Sequence, residues 1–388
     1  MAILSAVLSS CADDNLKQPT ELQPFDTTKY LERTWYASIG AGPDEQYVFL
    51  RPLKLGDKLV TASRDGVISV FRADSGDMLD QFELDTTLSA GVGGDKEVWL
   101  VASRDAHIIA IDARTLTERW RTRVPTEVLA RPQRHQGKAI VRTVDGKILG
   151  LDLLTGKIRW QYQRAIPDLT LRGANTPLIT RDRIIAGLAD GRLIALSPDN
   201  GEVIWDIALA VPSGRSEIQR LVDIDGDAVL YGRVLYAASY QGRIAAIDVS
   251  RGNFLWAKDF SSHNGLVVEG DALYSSDENG HVWAIDRLNG ATLWKQDKLA
   301  YRDLTRPTVM GDYLVIGDFE GYVHVLSRYD GHFVARYQLS RFDDEGWPLA
   351  SGIILPPLAI DADSVLAITR GGMAYQFELR DRQLEFDF

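Results

Sequence analysis

Residues 139–160 read AIVRTVDGKILGLDLLTGKIRW. An apolar run leads into a turn at Asp145-Gly146. A second strand ends at Asp152, another turn follows at Thr155-Gly156, and a last strand ends on Trp160. Glycine takes positive φ cheaply, so both turns are tight. The same pattern recurs at 59–82, 99–120, 184–205, 235–256, 273–294 and 314–335, and an eighth copy at 365–379 stops short. In the fifth copy, Ile244, Ala246 and Asp248 alternate with Arg243, Ala245 and Ile247, which is the period of two of a strand.

A repeat of roughly 40–50 residues built from short strands is the signature of four-stranded propeller blades. Each blade exposes apolar faces that only its neighbours cover, so the ring must close. The expected fold is all-β: an eight-bladed β-propeller of antiparallel blades spanning residues 30–379. The last copy lacks an outer strand after Leu379. Tyr30-Leu31-Glu32-Arg33-Thr34-Trp35 resembles the outer strand ending at Trp160 or Trp256, so residues 30–40 are expected to pair with the last repeat. Such closure removes an edge that would template aggregation. Residues 380–388 are expected to form a mobile tail.

Trp120, Trp160, Trp205, Trp256 and Trp294 share one repeat position. An aromatic array could stack a planar ligand, but identical placement in successive blades is the mark of inter-blade packing.

The formal charge is −11 and no long basic run occurs. Binding nucleic acid through phosphate contacts is therefore disfavoured. Residues 1–10 (MAILSAVLSS) are apolar and small, and Leu8-Ser9-Ser10-Cys11 matches a bacterial lipobox. The stretch is short and carries no basic residue, so it reads as a signal-peptide remnant before a lipidated Cys11. Ala12, not Asp, follows the cysteine, which favours outer-membrane sorting. Acyl chains on Cys11 would anchor the protein without a spanning helix. Residues 11–29 are polar beyond the cysteine, carry two prolines and have no period, as expected of a flexible tether.

No H-E-x-x-H, Gly-x-Ser-x-Gly or phosphate-binding loop is present. Asp112, Asp152, Asp248 and Asp286 recur at the end of one strand and read as turn carboxylates accepting backbone N–H groups. His107 and His281 occupy slots that vary between copies, held by Lys147 and Arg243 elsewhere, which reads as surface or turn. Asp223, Asp225 and Asp227 alternate like the start of an EF-hand loop. The glycine and glutamate that loop needs are Ala228 and Val234 here.

The pattern in LGLDLLTGKIRW and AIDVSRGNFLW resembles the repeat of pyrroloquinoline-quinone-type propellers. One branch of that family consists of dehydrogenases that hold the cofactor beside a pair of adjacent cysteines; Cys11 is the only cysteine of this chain. The other branch is cofactor-free. Within it, the chain resembles the propeller lipoproteins of the outer-membrane β-barrel assembly machinery, along nearly its whole length. Asp168-Leu169-Thr170-Leu171-Arg172-Gly173 resembles that family's Leu-x-Leu-Arg-Gly stretch, and Leu221-Val222-Asp223-Ile224-Asp225 its paired-aspartate stretch.

The resemblance implies a non-catalytic scaffold without a cofactor, lipid-anchored at the periplasmic face of the outer membrane. It implies that Leu169, Leu171, Arg172, Asp223 and Asp225 contact a POTRA domain of the barrel-forming subunit BamA. Other assembly subunits and nascent outer-membrane proteins are further implied partners. Leu169 and Leu171 share a face of an extended segment, and, if exposed, form an apolar anchor flanked by charge. The alternative is that both begin an inner strand and are buried. Arg172 is expected to make a charged contact with Asp223 or Asp225. Two other readings are a quinone- or metal-dependent periplasmic enzyme, which would carry a chromophore or metal, and a propeller that binds peptides at strand edges.

Overall fold

Every repeat builds one four-stranded antiparallel sheet, and eight sheets stand around a common axis. In the third blade the strands run Gln133–His135, Lys138–Arg142, Ile148–Asp152 and Ile158–Tyr162, from the axis outward. The structure, a computed structural model, describes residues 17–42, 48–165, 167, 169–170, 175–339, 352–353 and 355–382. Among the described residues no helix is long and apolar enough to cross a membrane.

The eighth blade closes as the sequence predicts. Its outer strand is Lys29–Ser38, paired antiparallel with Met373–Asp381; Ser364–Ile368 and Leu358–Ala359 complete the sheet. Leu31 faces Leu379, and Trp35 faces Gln376. Both Leu31 and Trp35 are buried. The two chain ends thus make one sheet, and neither can leave without opening an edge.

Apolar side chains cluster at the boundaries between blades. Leu100, Ala102 and Ile108 of the second blade meet Ala139, Val141 and Leu149 of the third. Leu59 and Phe71 of the first meet Leu366 and Ile368 of the eighth. The second and third strands of each blade are buried on both faces because both faces are covered.

The recurrent tryptophans staple these boundaries from outside. The indole N–H of Trp120, Trp160, Trp205, Trp256 and Trp294 donates to a carbonyl of the next blade at 2.8–3.1 Å. Each ring lies on a glycine of that blade's outer turn: Gly156, Gly201, Gly252, Gly290 and Gly331. A Cβ there would come within 2.5–2.9 Å of the indole. These glycines have φ between +72° and +78°, so both sterics and backbone exclude a side chain. The recurrent carboxylates are turn acceptors, as expected. Asp112 accepts from the N–H groups of Arg114 and Thr115, both at 2.9 Å, and Asp286 from those of Leu288 and Asn289.

Both termini are bound more extensively than the sequence suggests. Of the stretch read as a tether, residues 17–29 are described; 17–28 run along the sixth and seventh blades, and Lys29 opens the closing strand. The Thr20 N–H donates to the Ala300 carbonyl at 2.9 Å, and the guanidinium of Arg302 to the Thr20 carbonyl at 3.1 Å. Phe25 packs on Phe333 at 5.2 Å between centroids, and Arg336 lies over both rings. Low apolar content hid this docking, because two apolar anchors, Leu22 and Phe25, suffice when backbone groups also find partners. Of the expected mobile tail, Arg380 and Asp381 extend the last strand, and the Arg382 N–H donates to the Thr28 carbonyl at 3.1 Å.

Candidate functional site

The connections between blades and the turns between second and third strands lie on one face of the ring. Between the third, fourth and fifth blades this face carries the segments singled out by sequence. Leu169 is 42% exposed. The next residue, Thr170, lines a small cavity together with Arg142, Arg164, Asp190 and Asp223. Thr170 of the first segment and Asp223 of the second, some fifty residues apart in sequence, therefore line one cavity. Leu171, Arg172 and Cys11 lie outside the described residues.

Asp223 is buried under this surface. Its carbonyl accepts from the Tyr240 N–H at 2.8 Å, tying the segment to the fifth blade. Asp225 opens instead into a cavity of about 700 Å³ lined by Tyr240, His263, Glu278 and Tyr301. Burial, and then the Asp223 carboxylate beside it, push Asp225 well above the usual carboxylate range; the charge of Arg142 opposes this. The Oδ1 atom of Asp225 is buried without a hydrogen-bond partner. Asp227 points to the ring axis, where it pairs with Arg51. The three alternating carboxylates thus face three separate cavities. Among the described residues, no three His, Cys, Asp or Glu side chains gather as a metal ion requires.

Beneath the aspartates lies a polar core that sequence reasoning missed. Arg142 is buried at the end of its strand. Its guanidinium donates to the side chain of Asn175, whose amide in turn donates to the Gly187 carbonyl at 3.3 Å and to the Ile224 carbonyl. Burial lowers the pKa of Arg142, while Asp223, Asp225 and Asp227 act to raise it. A signal was available. The repeat slot of Arg142 holds Ala62, Ala102, Gly187, Ala238, Ser276, Gly317 and Ile368 in the other copies. An arginine in a slot otherwise held by uncharged residues marks a blade built to carry charge inside.

Two glycines bring the paired-aspartate segment down onto the ring. A Cβ on Gly187 would meet Ile224 Cγ2 at 2.3 Å, and one on Gly226 would meet the Gly265 backbone at 2.2 Å. Arg164 forms the rim, with ion pairs to Asp190 at 2.7 Å and Asp206 at 2.8 Å. This arrangement suits protein recognition: an exposed leucine stands at the edge of a charged, rigidly held surface.

The fold and the repeat together define an eight-bladed propeller of the pyrroloquinoline-quinone-type repeat class. A family model described as "Outer membrane protein assembly factor BamB" matches residues 64–296. An outer membrane protein assembly factor BamB of Bordetella pertussis is 35% identical over 94% of this chain and 92% of its own. One of Pseudomonas aeruginosa is 38% identical over 88% of this chain and 90% of its own. The crystal structure of BamB from Moraxella catarrhalis superposes with a TM-score of 0.80 at 29% identity, covering 90% of this chain and 99% of that one. The chain belongs to the BamB family of outer membrane protein assembly factors. A quinohemoprotein alcohol dehydrogenase from Comamonas testosteroni shares the fold alone, with a TM-score of 0.69 at 12% identity.

Proposed function

We propose that this chain is a non-catalytic scaffold for the assembly of outer-membrane β-barrel proteins, anchored by lipid at Cys11 on the periplasmic face. It docks on a POTRA domain of BamA through the loop face between its third, fourth and fifth blades. The observation that carries the reading is the exposed Leu169, set beside the cavity in which Asp223 is buried. In this reading Leu169 and Leu171 form the apolar anchor and Arg172 supplies the charge facing Asp223 and Asp225. A desolvated apolar centre ringed by polar groups is how a few residues dominate binding. Membership of the assembly-factor family supports the scaffold over an enzyme.

The test is copurification from detergent-solubilised envelopes. Replacing Leu169, Leu171 and Arg172 with alanine is expected to leave the melting temperature within a few degrees and to abolish recovery of BamA. Retained recovery overturns the docking assignment. Cys11→Ser is expected to move the intact propeller from the membrane to the soluble periplasmic fraction.

A further inference from the structure

The connecting segments bring a second charged group to the ring axis. Arg51, Arg131, Thr176, Asp227 and Arg306 each stand two residues before the innermost strand of their blade. This slot faces a cavity of about 540 Å³ to which six blades contribute residues, and only the axis is common to six blades. In three copies the slot is an Arg-Pro pair: Arg51-Pro52, Arg131-Pro132 and Arg306-Pro307. Proline holds the residue before it extended, which fixes the direction of the arginine. The glycines of the neighbouring inner strand, Leu88–Gly94, let two of these segments approach. A Cβ on Gly91 would meet the Arg51 carbonyl at 2.3 Å, and one on Gly93 the Pro132 carbonyl at 1.7 Å.

Among the described residues, charge in this cavity is not balanced. Asp227 pairs with Arg51, lies 3.6 Å from Arg306, and accepts the Thr176 N–H at 2.8 Å. Among the described residues, the Arg131 guanidinium has no carboxylate and no side-chain hydrogen-bond acceptor. The Nε atoms of Arg51, Arg131 and Arg306 are all buried without an acceptor. Burial, then the charge of Arg51, lowers the pKa of Arg131, and burial does the same to Arg306. Among the described residues, three guanidiniums share one carboxylate, which leaves two positive charges on a cavity wall. Nearby Arg134 does not add to them, being committed to Asp95 and Glu97. Gathering like charges in a confined site is costly unless an anion joins them.

We propose that the axial cavity is a binding site for a phosphate dianion, free or as a small monoester, held between the guanidiniums of Arg131, Arg51 and Arg306. Planar guanidinium forks match tetrahedral oxyanions, and the dianion matches the surplus charge. Asp227 orients two of the three arginines and leaves Arg131 as the open donor.

Calorimetric titration of the full-length protein in detergent, at fixed ionic strength in a phosphate-free chloride buffer, tests this. The probes are inorganic phosphate and glycerol 3-phosphate. Saturable binding of one molecule per chain is expected, and the tighter of the two probes identifies the free or the esterified form. Arg131→Gln is expected to weaken binding by about tenfold or more. The same variant, in phosphate-free buffer, is expected to melt at or above the wild-type temperature, because it removes repulsion without removing a hydrogen bond. Arg306→Gln is the second variant and should weaken binding likewise. Absence of saturable binding of either probe overturns the proposal, as does an unchanged affinity in both variants.

Discussion

The indole of Trp35 rests on Gly76, close enough that a Cβ on the glycine would lie 2.5 Å from the ring. Trp35 belongs to the eighth blade and Gly76 to the first, so this contact closes the ring. It is the same staple that joins the interior blades, here made between a strand from one chain end and a turn of the first repeat. The Trp35 indole N–H donates to the Gln376 side chain at 2.7 Å, which also fastens it within its own sheet.

Trp35→Ala is expected to destabilise the propeller by about 3–5 kcal/mol, the usual cost of emptying a buried aromatic site. Equilibrium denaturation in urea measures it. Gly76→Ala should also destabilise, because it adds a clash to a backbone at φ +72°. Deleting residues 30–40 removes the whole strand and is expected to prevent cooperative folding.

Arg142 should be indispensable to the third and fourth blades. Arg142→Met breaks its buried hydrogen bond to Asn175 and removes a positive charge that acts on Asp225, and a loss of about 3–5 kcal/mol is expected. Adding Asp225→Asn should recover part of that loss. A double-mutant cycle by thermal or chemical denaturation reads the coupling, and strict additivity would contradict the charge pairing.

Asp225 sets a pH dependence with a defined sign. Its folded pKa is raised above the unfolded value of about 3.9, so the folded state holds this proton more tightly. The resulting stabilisation is complete below the unfolded pKa and is lost as pH rises through the folded one. Asp225→Asn should therefore gain melting temperature over wild type near neutral pH, with the difference shrinking as the solution is acidified. Melting curves at several pH values check the trend.

The docked N-terminal segment should be separable from the ring. Phe25→Asp breaks the packing on Phe333 and is expected to raise hydrogen exchange at residues 17–28 sharply. The global melting temperature should move little, because only Leu22 of this segment joins the inter-blade packing. A large global loss would mean that the segment is part of the ring.

Much of this architecture was legible because it repeats. Even the exceptions are legible. The tryptophan slot is Asp80 in the first blade, and the matching turn of the second blade carries Leu116 at φ +57° where others carry glycine. Leu116 then packs into the boundary between the first and second blades. In the seventh blade the slot is Ala335, and the eighth blade has no outer turn to receive an indole. The site was less legible. Leu169 and the aspartates stand out as segments, but the segments do not show that Asp223 is buried while Asp225 opens outward. Nor did the Arg-Pro pairs announce themselves, since three copies fifty or more residues apart look unrelated until the ring sets them around one axis.

Sequence alone determined the number of blades, the strand that closes the ring, and the staples between neighbours. Those depend on local period, on turn glycines and on one large ring per repeat, all readable within a few dozen residues. Tertiary structure decided where charge goes. Asp223, Asp225 and Asp227 are alternate residues of one segment, yet one is buried, one faces an outer cavity and one meets the arginines of other blades at the axis. Whether a carboxylate is paired, neutralised or exposed depends on partners brought by distant blades, and the chain carries no local record of them.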